Sequence, residues 1–132
     1  MNIATFFIAD DEPILHELYR DILKIKGHDV CGVAFNGHEC YEHLTNSTTD
    51  PDFIILDHRM PMLNGLDVMK RLLDVKPNLK IIFVSADISA RRKALKAGAL
   101  IFVKKPFNLN TFFNSLDRLI KHEQKMAQEI KI

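Results

Sequence analysis

Five short β-rich stretches alternate along the chain with five longer segments of helical periodicity, and nothing else in the sequence limits its fold so tightly. The stretches cover residues 3–9, 28–34, 52–56, 80–85 and 100–103. The first, third and fourth are apolar almost without a break, as strands are when helices cover both faces of a sheet. Parallel neighbours need crossover connections, which are right-handed in nearly all cases. The chain is therefore read as α/β, a doubly wound five-stranded parallel sheet with five helices.

The intervening segments carry their own start and stop signals. Pro13 suits a first helical turn, Ile14, Leu15, Leu18, Ile22 and Leu23 form one stripe, and Gly27 stands where a C-terminal cap belongs, giving a helix over 13–26. Asn36 is placed to cap a second helix carrying Cys40, Tyr41 and Leu44, before the polar loop 45–50. A third starts near Gly65 with Leu66, Met69, Leu72 and Leu73 on one face and stops before Pro77. The fourth spans 88–97 and closes at Gly98, and the fifth opens near Asn108 with Leu109, Phe112, Phe113, Leu116, Leu119 and Ile120 as its stripe.

Composition excludes several classes. The 132 residues make one ordinary domain. Eighteen basic against 17 acidic residues leave a formal charge of +1, so no bulk electrostatic attraction to nucleic acid exists. No window approaches the ~20 apolar residues of a bilayer span. The N-terminal stretch lacks a basic region and runs into Asp10, Asp11 and Glu12, which does not read as a secretory signal, so a cytoplasmic location is expected. Cys31 and Cys40 have no metal-type spacing and are read as reduced, partly buried thiols.

In a doubly wound sheet all strands point their carboxyl ends at one edge, and ligands bind there. Asp10 and Asp11 follow the first stretch, Asp57 the third, Ser85 closes the fourth, and Lys105 follows the fifth. Singly, each has a plain explanation as a cap or turn residue. Together, three carboxylates on one edge would repel without a cation. An oxygen-only set suits Mg²⁺. A carboxylate beside Mg²⁺ and a lysine is neutralised enough to attack phosphorus, whose equatorial oxygens then need positive charge and donors. Lys105 and the Ser85 hydroxyl are candidates for both.

The segments IADDEP (8–13), ILDHRMPMLNG (55–65), VSAD (84–87), KAGA (96–99) and FVKKPF (102–107) jointly resemble the response regulator receiver domain of two-component signalling, over about residues 3–122. The resemblance implies a flavodoxin-like, CheY-like fold with strand order 2-1-3-4-5, a receiver domain over 1–123, and a helical extension or tail over 124–132. It implies that Asp57 accepts a phosphoryl group from the phosphohistidine of a histidine kinase or phosphotransfer protein. Asp10 and Asp11, the latter more directly, would bind Mg²⁺ with Asp57 and the backbone carbonyl of Arg59. Ser85 would bond the phosphoryl oxygen, Lys105 would pair with it, and Phe102 would be the aromatic switch. The signal would leave through the face of the fourth helix, fifth strand and fifth helix toward a protein target. Such a domain catalyses only its own phosphorylation and dephosphorylation. A stand-alone regulator, monomeric or weakly dimeric, with neither direct DNA binding nor membrane contact, is expected.

Two other classes share parts of this pattern. A Mg²⁺-dependent aspartyl-phosphate phosphohydrolase would also use Asp57 as nucleophile, but such enzymes typically place an acid/base Asp two residues on, where Arg59 stands. A flavodoxin-like cofactor binder would need a Ser/Thr- or Gly-rich phosphate loop after the first strand, where the acidic pair repels phosphate.

Finer features remain open in the sequence. The stretch from Ser85 to Lys105 is somewhat short for the family, which contracts the connection into the fourth helix. Arg59 and Asp87 either pair across the mouth of the site and slow dephosphorylation, or are solvated independently. His58 is set aside as a metal ligand, having no second histidine at metal spacing; His16, His28, His38, His43 and His122 carry no signal. Arg91, Arg92, Lys93, Lys96, Lys104 and Lys105 form a basic run, either a solvated helix face or a docking surface for an acidic partner. Met126, Ala127 and Ile130 prolong the last apolar stripe, as a frayed tail or a self-association helix.

Overall fold

The computed structural model of the chain describes residues 3–130. Strands β1 (Thr5–Ala9), β2 (Asp29–Ala34), β3 (Phe53–Asp57), β4 (Ile81–Ser85) and β5 (Ile101–Lys104) form one parallel sheet in the order β2-β1-β3-β4-β5. Helices α1 (Pro13–Ile25), α2 (Gly37–Asn46), α3 (Gly65–Val75), α4 (Ala90–Ala97) and α5 (Leu109–Ile130) alternate with them. The register pairs Ala9 with Leu56, Asp57 with Val84, and Ser85 with Lys104. The carboxyl ends of four strands are therefore level.

Successive strand residues point to opposite faces, and here both faces are covered. Phe7, Ile54, Leu56, Ile81 and Phe83 pack with Cys40, Leu44, Val68, Met69, Leu72 and Ala94 of α2, α3 and α4. Phe6, Ile8, Ile55, Ile82 and Val84 pack with Tyr19, Leu23, Phe112, Phe113, Leu116 and Ile120 of α1 and α5. Every residue of β3 and β4 is buried, which is why those stretches carry no polar alternation.

The helix ends follow local chemistry. The side-chain oxygens of Asn36, Asn64 and Asn108 accept from the backbone N–H groups of Glu39, Asp67 and Thr111, satisfying first-turn donors. Gly98 closes α4 with φ +118, a left-handed conformation that glycine adopts without strain.

Several expectations need correction. On α1 the buried line is His16, Tyr19 and Leu23, while Ile14 and Leu18 are 64% and 39% exposed. Tyr19 packs edge-on to Phe112 and Phe113 of α5, which rotates the helix away from the all-aliphatic stripe. Cys31 is exposed, because β2 is an edge strand whose register shifts there, whereas Cys40 is buried. Helix α4 starts at Ala90, later than 88, because Asp87 accepts from Ser89 and Ala90 in a preceding turn.

Helix α5 runs unbroken past residue 123 to Ile130, where a frayed tail was one expectation. Glu123 pairs with Lys80 at 3.0 Å, and Gln124 and Ala127 line a groove of about 250 Å³ with Ile3, Ala4, Asp52, Phe53, Lys80 and Ile120. The side chain of Ile130 and residues 131–132 lie outside the described residues.

Candidate functional site

The level strand ends build a cleft of about 320 Å³ lined by Asp11, Glu12, Asp57, Arg59, Ser85, Ala86 and Lys105. Asp57 closes β3 and Ser85 closes β4, and both are buried. Lys105, just past β5, places Nζ 2.9 Å from Oδ1 of Asp57 and 3.5 Å from Oδ2 of Asp10. The Ser85 hydroxyl oxygen accepts from the Asp87 N–H at 3.0 Å. Asp10 is buried, and its Oδ1 accepts from the Glu12 N–H at 2.9 Å. That bond draws the turn after β1 together.

Carboxylate oxygens of Asp10, Asp11 and Glu12 come within 4.8 Å of one another. One of the three is buried and two are exposed toward the cleft, leaving room for water and for a second ligand group. This hard, oxygen-only set fits Mg²⁺, which keeps several waters and takes few carboxylates. Glu12 is a member that the sequence reading counted only as part of an acidic run. The contiguity of DDE at a strand end was the available signal.

Burial pushes the Asp57 carboxyl up to about 6, and the charges of Asp10 and Asp11 add to this, while the bond to Lys105 and its charge oppose it. For Lys105, burial disfavours the ammonium, but the bond to Asp57 and the charges of Asp57, Asp10 and Glu12 outweigh it and raise the pKa. The cleft thus holds more negative charge than one lysine balances.

The structure brings Asp10, Asp11, Asp57, Arg59, Ser85 and Lys105 to one edge. Phe102 stands apart from the cleft lining, half-buried on β5, with its ring stacked 6.1 Å from Phe83 at 22°. The pairing of Arg59 with Asp87 is not present among the described residues. Oδ1 of Asp87 instead accepts from the Ser89 N–H at 2.9 Å and the Ser89 hydroxyl at 2.6 Å, which holds its carboxyl below the usual carboxylate range. His58 serves the backbone, its Nδ1 accepting from the Leu66 N–H at 3.4 Å. Lys105 leaves the basic run and turns into the cleft, while Arg91, Arg92, Lys93, Lys96 and Lys104 stay exposed.

A doubly wound parallel sheet with an acidic cleft at its strand ends, reached by one lysine, is the arrangement that the resemblance to a receiver domain implies. The sequence profile of the response regulator receiver domain matches residues 6–117, and the chain belongs to that family. It is 34% identical over 116 residues to the chemotaxis protein CheY of Thermotoga maritima, covering 86% of this chain and 95% of that protein. Longer proteins match too: the chain spans 31% of the transcriptional regulatory protein YesN of Bacillus subtilis and 27% of the regulator NtrC of Klebsiella pneumoniae. Among solved structures, the receiver domain of Francisella response regulator 1452 superposes with a TM-score of 0.80 at 28% identity, covering 91% of this chain and 98% of that one. The CheY of Borrelia burgdorferi, solved with CheX, BeF₃ and Mg²⁺, shares the fold at a TM-score of 0.81, with 21% identity and 88% of each chain covered. Among the described residues, no helix is long and apolar enough to cross a membrane.

Proposed function

We propose that Asp57 accepts a phosphoryl group from the phosphohistidine of a histidine kinase or phosphotransfer protein, and that this chain signals through the resulting surface change. The observation that carries the reading is the buried Asp57 carboxylate, held at Oδ1 by Lys105 on the wall of an acidic cleft. The Asp57 oxygen not held by Lys105 attacks phosphorus, and the P–N bond of the donor breaks with its electron pair returning to the donor imidazole. Lys105 moves its positive charge to the new phosphoryl oxygens, and the Ser85 hydroxyl donates to one of them. Asp10, Asp11, Asp57 and the Arg59 carbonyl, with Glu12 alongside, would hold Mg²⁺, which when bound would supply positive charge easing the approach of two anions. The Borrelia structure of the same fold was solved with BeF₃ and Mg²⁺.

Engagement of Ser85 and Lys105 by the phosphoryl group strains β4 and β5 at their ends. Phe102, on β5 and stacked on Phe83 of β4, is the side chain placed to pass that strain to the α4–β5–α5 face. A charge-assisted hydrogen bond contributes roughly 1.5–3 kcal/mol, which shifts a two-state equilibrium by about ten- to 150-fold. The hydrolase alternative is disfavoured because Arg59 occupies the place where an acid/base carboxylate would stand. Incubation with p-nitrophenyl phosphate and Mg²⁺ tests this directly: no sustained nitrophenolate release is expected, and steady multiple turnover overturns the receiver reading.

A further inference from the structure

The turn bearing the clustered carboxylates of Asp10, Asp11 and Glu12 is held from behind by a side chain outside the cleft lining. His16, in the first turns of α1, is 4% exposed, and its Nε2 lies 2.6 Å from the carbonyl oxygen of Asp10. A carbonyl only accepts, so Nε2 is the donor and carries the hydrogen. The ring lies flat on Phe35, with centroids 4.3 Å apart and planes at 14°. Phe35 follows β2 and is 40% exposed. The other ring nitrogen, Nδ1, is buried without a hydrogen-bond partner among the described residues.

A buried nitrogen with no partner costs stability, and the remaining buried side chains of this helix face are Tyr19 and Leu23. A leucine at position 16 would fill the space without that cost, so packing does not account for the imidazole. What the imidazole adds is one bond, to the peptide joining Asp10 and Asp11. The orientation of that peptide sets the direction in which both carboxylates leave the backbone. The other groups of Asp10 are already committed: its N–H donates to Ala34 at 3.1 Å, Oδ1 accepts from Glu12 at 2.9 Å, and Oδ2 faces Lys105 at 3.5 Å. Its carbonyl is the one group left to fix, and His16 takes it.

We infer that His16, clamped by Phe35, is a positioning residue that aims the Asp10 and Asp11 carboxylates at a divalent cation. The inference rests on the Mg²⁺ reading of the acidic cluster. It ties the cation site to the β2–α2 connection through a contact that touches neither cation nor substrate. Partners that orient a ligand group in this way typically change metal affinity by ten- to a hundredfold when lost, roughly, and a backbone contact belongs at the lower end.

The test is calorimetric titration of Mg²⁺ into wild type, His16→Leu, His16→Gln and Phe35→Leu proteins, with thermal unfolding of each in EDTA. His16→Leu is expected to keep or raise the unfolding temperature yet weaken Mg²⁺ binding about tenfold. His16→Gln, whose amide N–H can reach the same carbonyl, is expected to stay near wild type, and Phe35→Leu to fall between. A folded His16→Leu protein with wild-type affinity overturns the inference, as does a His16→Gln protein as weak as His16→Leu. Should His16→Leu fail to fold, unchanged affinity in Phe35→Leu overturns it instead. No Mg²⁺ binding by the wild type removes the cation site itself, and the proposed function with it.

Discussion

Lys105 and Asp57, 48 positions apart in the chain, meet at 2.9 Å between Nζ and Oδ1 in the lining of an acidic cleft. The contact holds two strand ends that no direct β-pairing joins, since β4 lies between β3 and β5. It leaves a carboxylate that is buried, only partly neutralised, and poised to gain from further positive charge.

The first prediction concerns pH. The Asp57 pKa of about 6 in the folded chain lies above its ordinary 3.8, because burial disfavours the charge. Well below pH 3.8 folded and unfolded chains both hold the proton; between 3.8 and about 6 the unfolded chain ionises while the folded one keeps its proton, and stability falls across that window. Asp57 therefore destabilises the metal-free fold at neutral pH, by about 2–3 kcal/mol at 1.36 kcal/mol per pKa unit. Asp57→Asn is expected to unfold at a higher temperature than wild type at pH 7.5 in EDTA, with the gap cut to roughly a third at pH 4.5 and vanishing only well below the ordinary value of 3.8. Unfolding curves at both pH values check this, and an equal gap at both contradicts it.

The second concerns the route of the signal. The chain has no tryptophan, so Phe102→Trp is a single-site reporter. Its emission is expected to change on adding acetyl phosphate with Mg²⁺. Adding Ser85→Ala should abolish most of that change while intact mass still detects the phosphoryl group. An emission change that survives Ser85→Ala would disconnect hydroxyl and ring.

A third follows from α5. Ile120 is 2% exposed between the sheet and the helix, whereas Met126 is 45% exposed. Ile120→Ala is expected to cost about 2–4 kcal/mol in urea unfolding, the range for a buried large-to-small change, and Met126→Ala to stay within about 0.5 kcal/mol. Equal costs would mean that the helix end is buried elsewhere.

The fourth tests close packing behind the acceptor. A Cβ on Gly65 would stand 2.8 Å from Cα of His58 and closer still to the Asp57 carbonyl. Gly65→Ala is expected to lose about 1–3 kcal/mol by overpacking and to slow phosphoryl acceptance by moving the end of β3. A variant with normal stability and rate would show that the loop yields freely.

The strand pattern and the residues at the strand ends were legible because both are one-dimensional signals. Central strands read as unbroken apolar runs, and the edge to which their ends project follows from parallel topology. Asp57, Ser85 and Lys105 could be placed on one edge without coordinates. What was hidden depends on side-chain direction. The rotation of α1 follows from Tyr19 meeting the aromatic pair of α5, and no stripe of aliphatics reveals it. His16 is a polar residue on a buried line, visible only once Asp10 turns its carbonyl toward it. Asp87, for which pairing with Arg59 was one of two open readings, instead accepts from Ser89 two residues away, because a local turn competes well with a distant pair.

The central claim is tested most directly by intact mass after incubation with acetyl phosphate and Mg²⁺. One added phosphoryl group per chain is expected on the wild type, none on Asp57→Ala, and none when EDTA replaces Mg²⁺. Phosphoryl addition that persists in Asp57→Ala, or no addition to the wild type, would contradict the account.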